Sequence, residues 1–399
     1  MSLDLTKVAG QVTKMAAQLR YSNISKREII DFALTTLRTA DFGKLKRKVA
    51  ASRTTWLVAG LVNSLLNTDP ARPCPDEYTV LAADGSQIDV DRHRAARCYL
   101  LNIGTVMLHY GKYPAAELNS YPQLYSGDAE MVIYPEGEKN SKQLIEGSLL
   151  NIKRNVEECA ALAELAADLP AGSRSLALLD GTLILWGLSG NAFPDFVVEA
   201  LLEKGMLQHL DCIKALNGER QLSVASYISF PRGSDVVNAL RVAVCPHDVV
   251  DTDKYCTKCA SRECDKLAEV QDRDLFSNLL KPGERSSLFI STSSIVKNHY
   301  GPHLVYFFYL NAGEELARVE LPEWAALDEE LLNLTHSLVL DQCRKGQGYP
   351  VVLSESHEQA VVTGADRENF WQLVDMSLIE EHLPESGSVK SLSKRTRFI

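Results

Sequence analysis

The chain has 399 residues, 45% of them hydrophobic, and its 42 lysines and arginines against 52 aspartates and glutamates give a formal net charge of −10. A chain of this size buries one large core or two modest ones. Its acidic balance excludes a surface coated in basic groups for nucleic acid, but not a confined basic channel, because affinity follows local phosphate contacts. No apolar run approaches the roughly 20 residues that span a bilayer, and MSLDLTKVAGQVTK lacks a cationic segment followed by a long apolar one, so a cytoplasmic protein with no membrane partner is expected. Nine cysteines without a secretory signal predict reduced thiols, not a disulfide framework.

Residues 1–67 read as helical, with a break at Tyr21-Ser22-Asn23 and a capping box of Ser25 and Glu28 ahead of Ile29, Ile30, Phe32 and Leu37. Lys44, Lys46, Arg47, Lys48 and Arg53 form the densest basic patch before the C-terminal tail, either a solvated helix face or an arm that docks phosphate or a partner. Prolines 70, 73 and 75 mark a linker, since proline-dense chain builds neither helix nor central strand. This divides the chain into an N-terminal helical region with its linker (1–75), a globular domain (76–385) with a Cys-rich insertion at about 245–266, and a basic tail (386–399).

YTVLAADGSQIDV and RCYLLNIGTVMLHYG are β-rich apolar runs that predict the first strands of a mixed sheet. The loop between them carries Asp89, Asp91, Arg92, His93, Arg94 and Arg97, and reads equally as a phosphate contact or a solvated hairpin tip. Residues 141–168 predict the clearest helix, with Ile145, Leu149, Ile152, Val156, Cys159, Ala163 and Ala166 on one stripe. Glu158 falls at the border of that stripe and points inward, whereas Glu157 falls on the outer face with Lys153, Arg154 and Glu164. The strand LALLDGTLILWGL follows, a helix-then-strand order typical of α/β construction.

Further on, 195–218 predicts a helix, QLSVASYISFP a strand, and VVNALRVAVC either element. Residues 285–322 predict a block of strands. A helix over 328–344, a turn at Gly346-Gln347-Gly348, a strand YPVVLSES and a helix over 366–374 complete the series. The expected class is α/β, a mixed sheet flanked by helices with an N-terminal helical extension.

Asp84 and Asp180 each leave an apolar strand into Asp-Gly-Ser or Asp-Gly-Thr. A single Asp-Gly is ordinarily only a turn. Two of them, each after a buried strand, let two carboxylates converge, and Glu158 adds a third, a set of hard oxygen donors suited to Mg²⁺ or Mn²⁺ and to phosphodiester hydrolysis. Tyr349 and His357 bracket the predicted strand near the C-terminus, where an imidazole can protonate a leaving oxygen, orient water or bind metal. Cys245, His247, Cys256, Cys259 and Cys264 cluster in the insertion, and Cys256-Thr-Lys-Cys259 has zinc-knuckle spacing. A structural Zn²⁺ is the metal reading there, an iron–sulfur cluster a less favoured one, and a plain solvent-exposed loop the alternative. No P-loop is present in the sequence, which argues against ATP hydrolysis by this chain.

Taken in order, AADGSQI with CYLLNIG, RNVEECAALAELA, LALLDGTLILW, SYISFPR, FFYLNAGEELARVELPEW and GYPVVLSESHEQAV resemble the NurA nucleases, which process DNA ends in prokaryotes. The resemblance implies an RNase H-like (PIWI-like) core in a toroidal homodimer. It also implies a manganese-dependent exonuclease and single-strand endonuclease acting on DNA, and a hexameric HerA-type ATPase as partner. By position, the family's two aspartates fall on Asp84 and Asp180, its tyrosine and histidine on Tyr349 and His357, and its helix-borne glutamate on Glu158, with Glu157 and Glu164 as alternatives.

Overall fold

The computed structural model describes residues 4–91, 94, 96–137 and 141–383. Helix α1 (Leu5–Thr39) starts at Asp4, whose carboxylate accepts the Thr6 N–H at 3.1 Å, and α2 (Phe42–Ala50) starts likewise at Asp41, which accepts from Lys44. Helix α1 runs through Tyr21-Ser22-Asn23, so the expected break and the cap at Ser25 are corrected. Serine and asparagine inside a helix cost only a few tenths of a kcal/mol each, roughly, and the cap lies at Asp4. Residues 51–67, also expected to be helical, are turns around a two-residue strand, Gly60–Leu61. The proline segment is not wholly linker, because Thr68–Pro70 pairs with Glu284–Ser286. Proline is tolerated in an edge strand, where its missing N–H is not needed.

The elements that follow are strands β1 (Tyr78–Ile88), β2 (Tyr99–Tyr110) and β3 (Ala115–Tyr125), helix α3 (Ser148–Ala167), and strands β4 (Arg174–Asp180) and β5 (Gln221–Ile228). Then come α4 (Asp235–Val244), β6 (Val305–Asn311), β7 (Leu316–Pro322), α5 (Glu329–Lys345), α6 (Val351–Ala360) and α7 (Gly364–Glu380). The helix expected over 195–218 forms with a π-helical stretch, Glu199–Met206, in its middle. Within the predicted strand block, Ser294–His299 is helical.

The main correction concerns YPVVLSES, which is helix α6. Its buried residues, Val352, Leu353, Ser356 and Ala360, share one helical face, and the chain enters it through Pro350 at the N-cap. The buried Gln342 side chain accepts the N–H of Val352 at 3.2 Å, satisfying one donor of the first turn. Together these elements make a mixed α/β architecture with a large mixed sheet flanked by helices.

The chain divides into two compact units. One comprises residues 1–71, 228–293 and 306–319, and its core gathers Leu34, Leu45, Leu240, Phe276, Phe289 and Phe307. Within it Asp272, fully buried, accepts the N–H groups of Val236 and Val237 at the start of α4 and the Tyr309 hydroxyl at 2.7 Å. Nearby, Arg318 pairs with Asp235 at 2.8 Å. Burial, and then the Asp235 charge, push the Asp272 carboxyl up to about 7 against those hydrogen bonds. As pH rises the unfolded chain gives up this proton first, so stability falls as pH climbs above the ordinary carboxylate range and is flat once the folded group has ionised too. Asp272→Asn should flatten that slope in denaturant titrations at pH 5 and pH 8. An unchanged slope would refute the assignment.

The second unit, residues 72–227, 294–305 and 320–399, carries the strand order β5-β4-β1-β2-β3. Strands β1, β2 and β3 form an antiparallel meander, whereas β4 is parallel to β1 and β5 parallel to β4. The central strands are apolar on both faces because helices cover both. Strand β3, nearly all exposed, closes the sheet with Pro122 at its edge.

Candidate active site

The sheet register brings the two aspartates together. Ala83 of β1 lies opposite Leu179 of the parallel strand β4, so Asp84 and Asp180, one residue further on each, are level on neighbouring strands. The two strands do not end alike. Strand β4 does stop at Asp180, where Gly181 takes φ +88, but β1 continues through Asp84 to Ile88, paired with β2. Asp84 is therefore a mid-strand residue, opposite Gly104 of β2.

Period-2 alternation then decides which groups share a face. A Cβ on Gly104 would meet the backbone of α6, 2.4 Å from the Ser356 carbonyl oxygen, which puts Asp84 on the α6 side. His357 of α6 meets it there, with Nδ1–H donating to Asp84 Oδ2 at 2.8 Å. A Cβ on Gly85 would instead meet α3, 2.8 Å from Glu158 Oε1 and from Arg154 Cγ. Glu158 thus approaches from the opposite face, and the absence of side chains at 85 and 104 lets both helices close on the sheet beside Asp84.

Glu158 is 8% exposed, and Arg154 Nε donates to its Oε1 at 3.0 Å. Burial pushes its carboxyl up to about 8; the Arg154 charge opposes this, and the Asp84 and Asp180 charges add to it. Asp180 stands at the rim with protein packed behind it, and that partial burial raises its carboxyl too. A hydrogen bond from Tyr349 and the His357 charge pull the other way, and Asp84 raises it further. Tyr349, just ahead of α6, meets Tyr227 edge-on with ring centroids 5.5 Å apart.

Glu158, Tyr349 and His357 are thus each linked to Asp84 or Asp180, Glu158 by charge, Tyr349 by its hydrogen bond to Asp180 and His357 by its hydrogen bond to Asp84. Glu157 is elsewhere, paired with Lys153, and lines with Glu164 a cavity between β2, β3 and α3. Arg154 is engaged with Glu158 and so is not a free cation for a phosphate. Arg92 and His93 of the β1–β2 loop and the tail 386–399 lie outside the described residues.

One residue went unread in the sequence. Glu320, 1% exposed, accepts from the Thr182 hydroxyl at 2.7 Å and the Leu183 N–H at 2.9 Å, fixing the loop directly after Asp180. Its signal was a single acid inside the apolar run LARVELP.

Among the described residues, no three His, Cys, Asp or Glu side chains stand preformed around a point where an ion would sit. At the sheet, Glu158 comes from one face and is held by Arg154, while Asp84 and His357 share the other. The donor chemistry nevertheless fits a hard divalent cation. The Asp84 and Asp180 charges raise the Glu158 carboxyl and the Asp84 charge raises that of Asp180, and a cation among them would relieve that repulsion. In the other unit, Cys245, His247, Cys256, Cys259 and Cys264 line one small pocket. Of the basic patch, Lys46 donates to the Val62 carbonyl and Lys48 to the Cys245 carbonyl, so part of it is spent on local structure.

The fold is thus a mixed α/β sheet on which carboxylates cluster beside an imidazole hydrogen-bonded to Asp84. The sequence profile of the NurA domain matches residues 78–362, which include all five of these residues, and the chain belongs to the NurA family of nucleases. No curated protein matches the chain. Among the described residues no helix is long and apolar enough to cross a membrane.

Proposed function

We propose that this protein is a Mn²⁺- or Mg²⁺-dependent deoxyribonuclease that hydrolyses phosphodiesters at DNA ends and in single strands, in DNA end processing. It works as a homodimer with a HerA-type hexameric ATPase. The observation that carries the reading is the level placement of Asp84 and Asp180 on neighbouring parallel strands, with His357 hydrogen-bonded to Asp84. The strand order β5-β4-β1-β2-β3, an antiparallel meander followed by parallel strands, supports an RNase H-like core. The partner and the dimer rest on family membership.

Asp84, Asp180, Glu158 and His357 are the residues that would hold the ion. When bound, it supplies Lewis acidity toward the phosphoryl oxygens and an acidified water. Asp84 accepts from Nδ1–H, so Nε2 is the nitrogen left free, a lone-pair donor to a cation when the ring is neutral and an N–H donor to a leaving oxygen when it is protonated. Tyr349 orients Asp180 by its hydrogen bond, and Glu320 keeps the adjoining loop from moving it. Arg154 balances Glu158 when that carboxylate is ionised.

Incubation of the purified protein with labelled single- and double-stranded DNA, with Mn²⁺, Mg²⁺ or EDTA and with or without the ATPase, tests the reading. Metal-dependent cleavage is expected. DNA binding without cleavage under every condition would make the chain an assembly platform and sink the proposal. Glu158→Gln should cut the rate by roughly 10²-fold or more, as expected for a group at the reacting centre. Glu157→Gln should leave it within about twofold, because a Lys153 pair on the outer helix face contributes little. The reverse pattern would move the helix-borne ligand to Glu157.

A further inference from the structure

We propose that Cys245, Cys256, Cys259 and Cys264 bind a structural zinc ion in the first unit, independent of the nuclease site. The four residues line one pocket of about 30 Å³, shared with His247, Asp251 and Tyr255. That is room for a single ion, given that about 10–15 Å³ admits one water. Two residues separate Cys256 from Cys259 and four separate Cys259 from Cys264, both within the spacing of tetrahedral thiolate sites.

Local backbone geometry adds a second observation. The Ser261 hydroxyl, two residues beyond Cys259, lies 3.8 Å from its sulfur. Arg262 adopts φ +42 at this turn, a left-handed conformation that a non-glycine residue keeps only when its surroundings enforce it.

A backbone bridge ties Asp251 to Arg53, but little of the segment is buried. Between 245 and 266 only Val250 and Thr252 are buried, and the helix Thr252–Tyr255 is four residues long. Yet two neighbours lean on it, since Lys48 donates to the Cys245 carbonyl at 2.6 Å and Arg241 of α4 to the Cys264 carbonyl at 3.2 Å. His247 stacks on Tyr255 with centroids 4.1 Å apart. None of the four is in a disulfide. The sulfurs are not preformed around an ion, and binding would draw the loop closed, as metal binding and folding are coupled at such sites.

The test is metal analysis of the full-length protein. About one zinc per chain should survive dialysis against EDTA and be released by an organomercurial, and the cobalt-substituted protein should show sulfur-to-cobalt charge transfer with tetrahedral d–d bands. Cys256→Ser with Cys259→Ser should lose the zinc and lower Tm, whereas Cys212→Ser, an exposed cysteine elsewhere, should keep it. Zinc-free protein whose thiols all react at once, cobalt bands without sulfur character, an iron chromophore in place of zinc, or zinc retained by the double variant would each overturn the proposal. Should the double variant not fold, the wild-type cobalt spectrum and mercurial release decide it alone.

Discussion

Asp84→Asn and Asp180→Asn should each reduce Mn²⁺-dependent DNA cleavage by at least about 10³-fold while leaving the fold intact, because each removes a charge where the phosphoryl group must be neutralised. The fold should survive because asparagine keeps an oxygen to accept hydrogen bonds that each carboxylate accepts. Asp180 is at the solvent rim, and Asp84 bonds to His357, whose side chain is 63% exposed. Relieving repulsion among the three carboxylates should if anything stabilise the metal-free protein. Circular dichroism and thermal melts check folding, and single-turnover cleavage checks activity. Undiminished cleavage by both folded variants would remove these residues from the reaction.

Gly104→Ala is expected to have the next largest effect, and by another route. Its new methyl would lie 2.4 Å from the Ser356 carbonyl oxygen and 2.5 Å from the Ala360 nitrogen, both backbone atoms of α6, so the helix must shift. Overpacking of this kind costs roughly 1–3 kcal/mol. Helix α6 carries His357, and displacement of a catalytic group by about 1 Å can cost on the order of 10²-fold in rate. A lowered Tm together with a fall in kcat is therefore expected. Wild-type stability and activity in Gly104→Ala would show that the α6–sheet contact does not position the imidazole.

The sequence made the aspartates legible because a buried parallel strand is a continuous apolar run, and each run delivers its Asp-Gly at the same depth. The inward direction of Glu158 was legible too, since helical periodicity separates it from Glu157. The element carrying His357 was not. VVLSES opens on a short apolar run, Val351-Val352-Leu353, directly after a turn and a proline, as a short buried strand would, and only packing against β1 and β2 reveals its helical face of Val352, Leu353, Ser356 and Ala360. Strand β3 escaped because an exposed edge strand has no apolar alternation to show. Glu320 escaped because its partners, Thr182 and Leu183, lie 138 and 137 residues away. The opposed approach of Glu158 and Asp84 to the sheet depends on two glycines whose role appears only once both helices are in place.

The claim that Asp84, Glu158, Asp180 and His357 form a divalent-metal site is tested most directly by anomalous diffraction at the manganese edge from crystals soaked in Mn²⁺. The account predicts a peak within about 2.0–2.6 Å of carboxylate oxygens of both Asp84 and Asp180, the range of oxygen-ligated hard cations. Glu158 should then have turned from Arg154 toward it. A peak elsewhere in the molecule, with none between these two aspartates under conditions that support DNA cleavage, would contradict it.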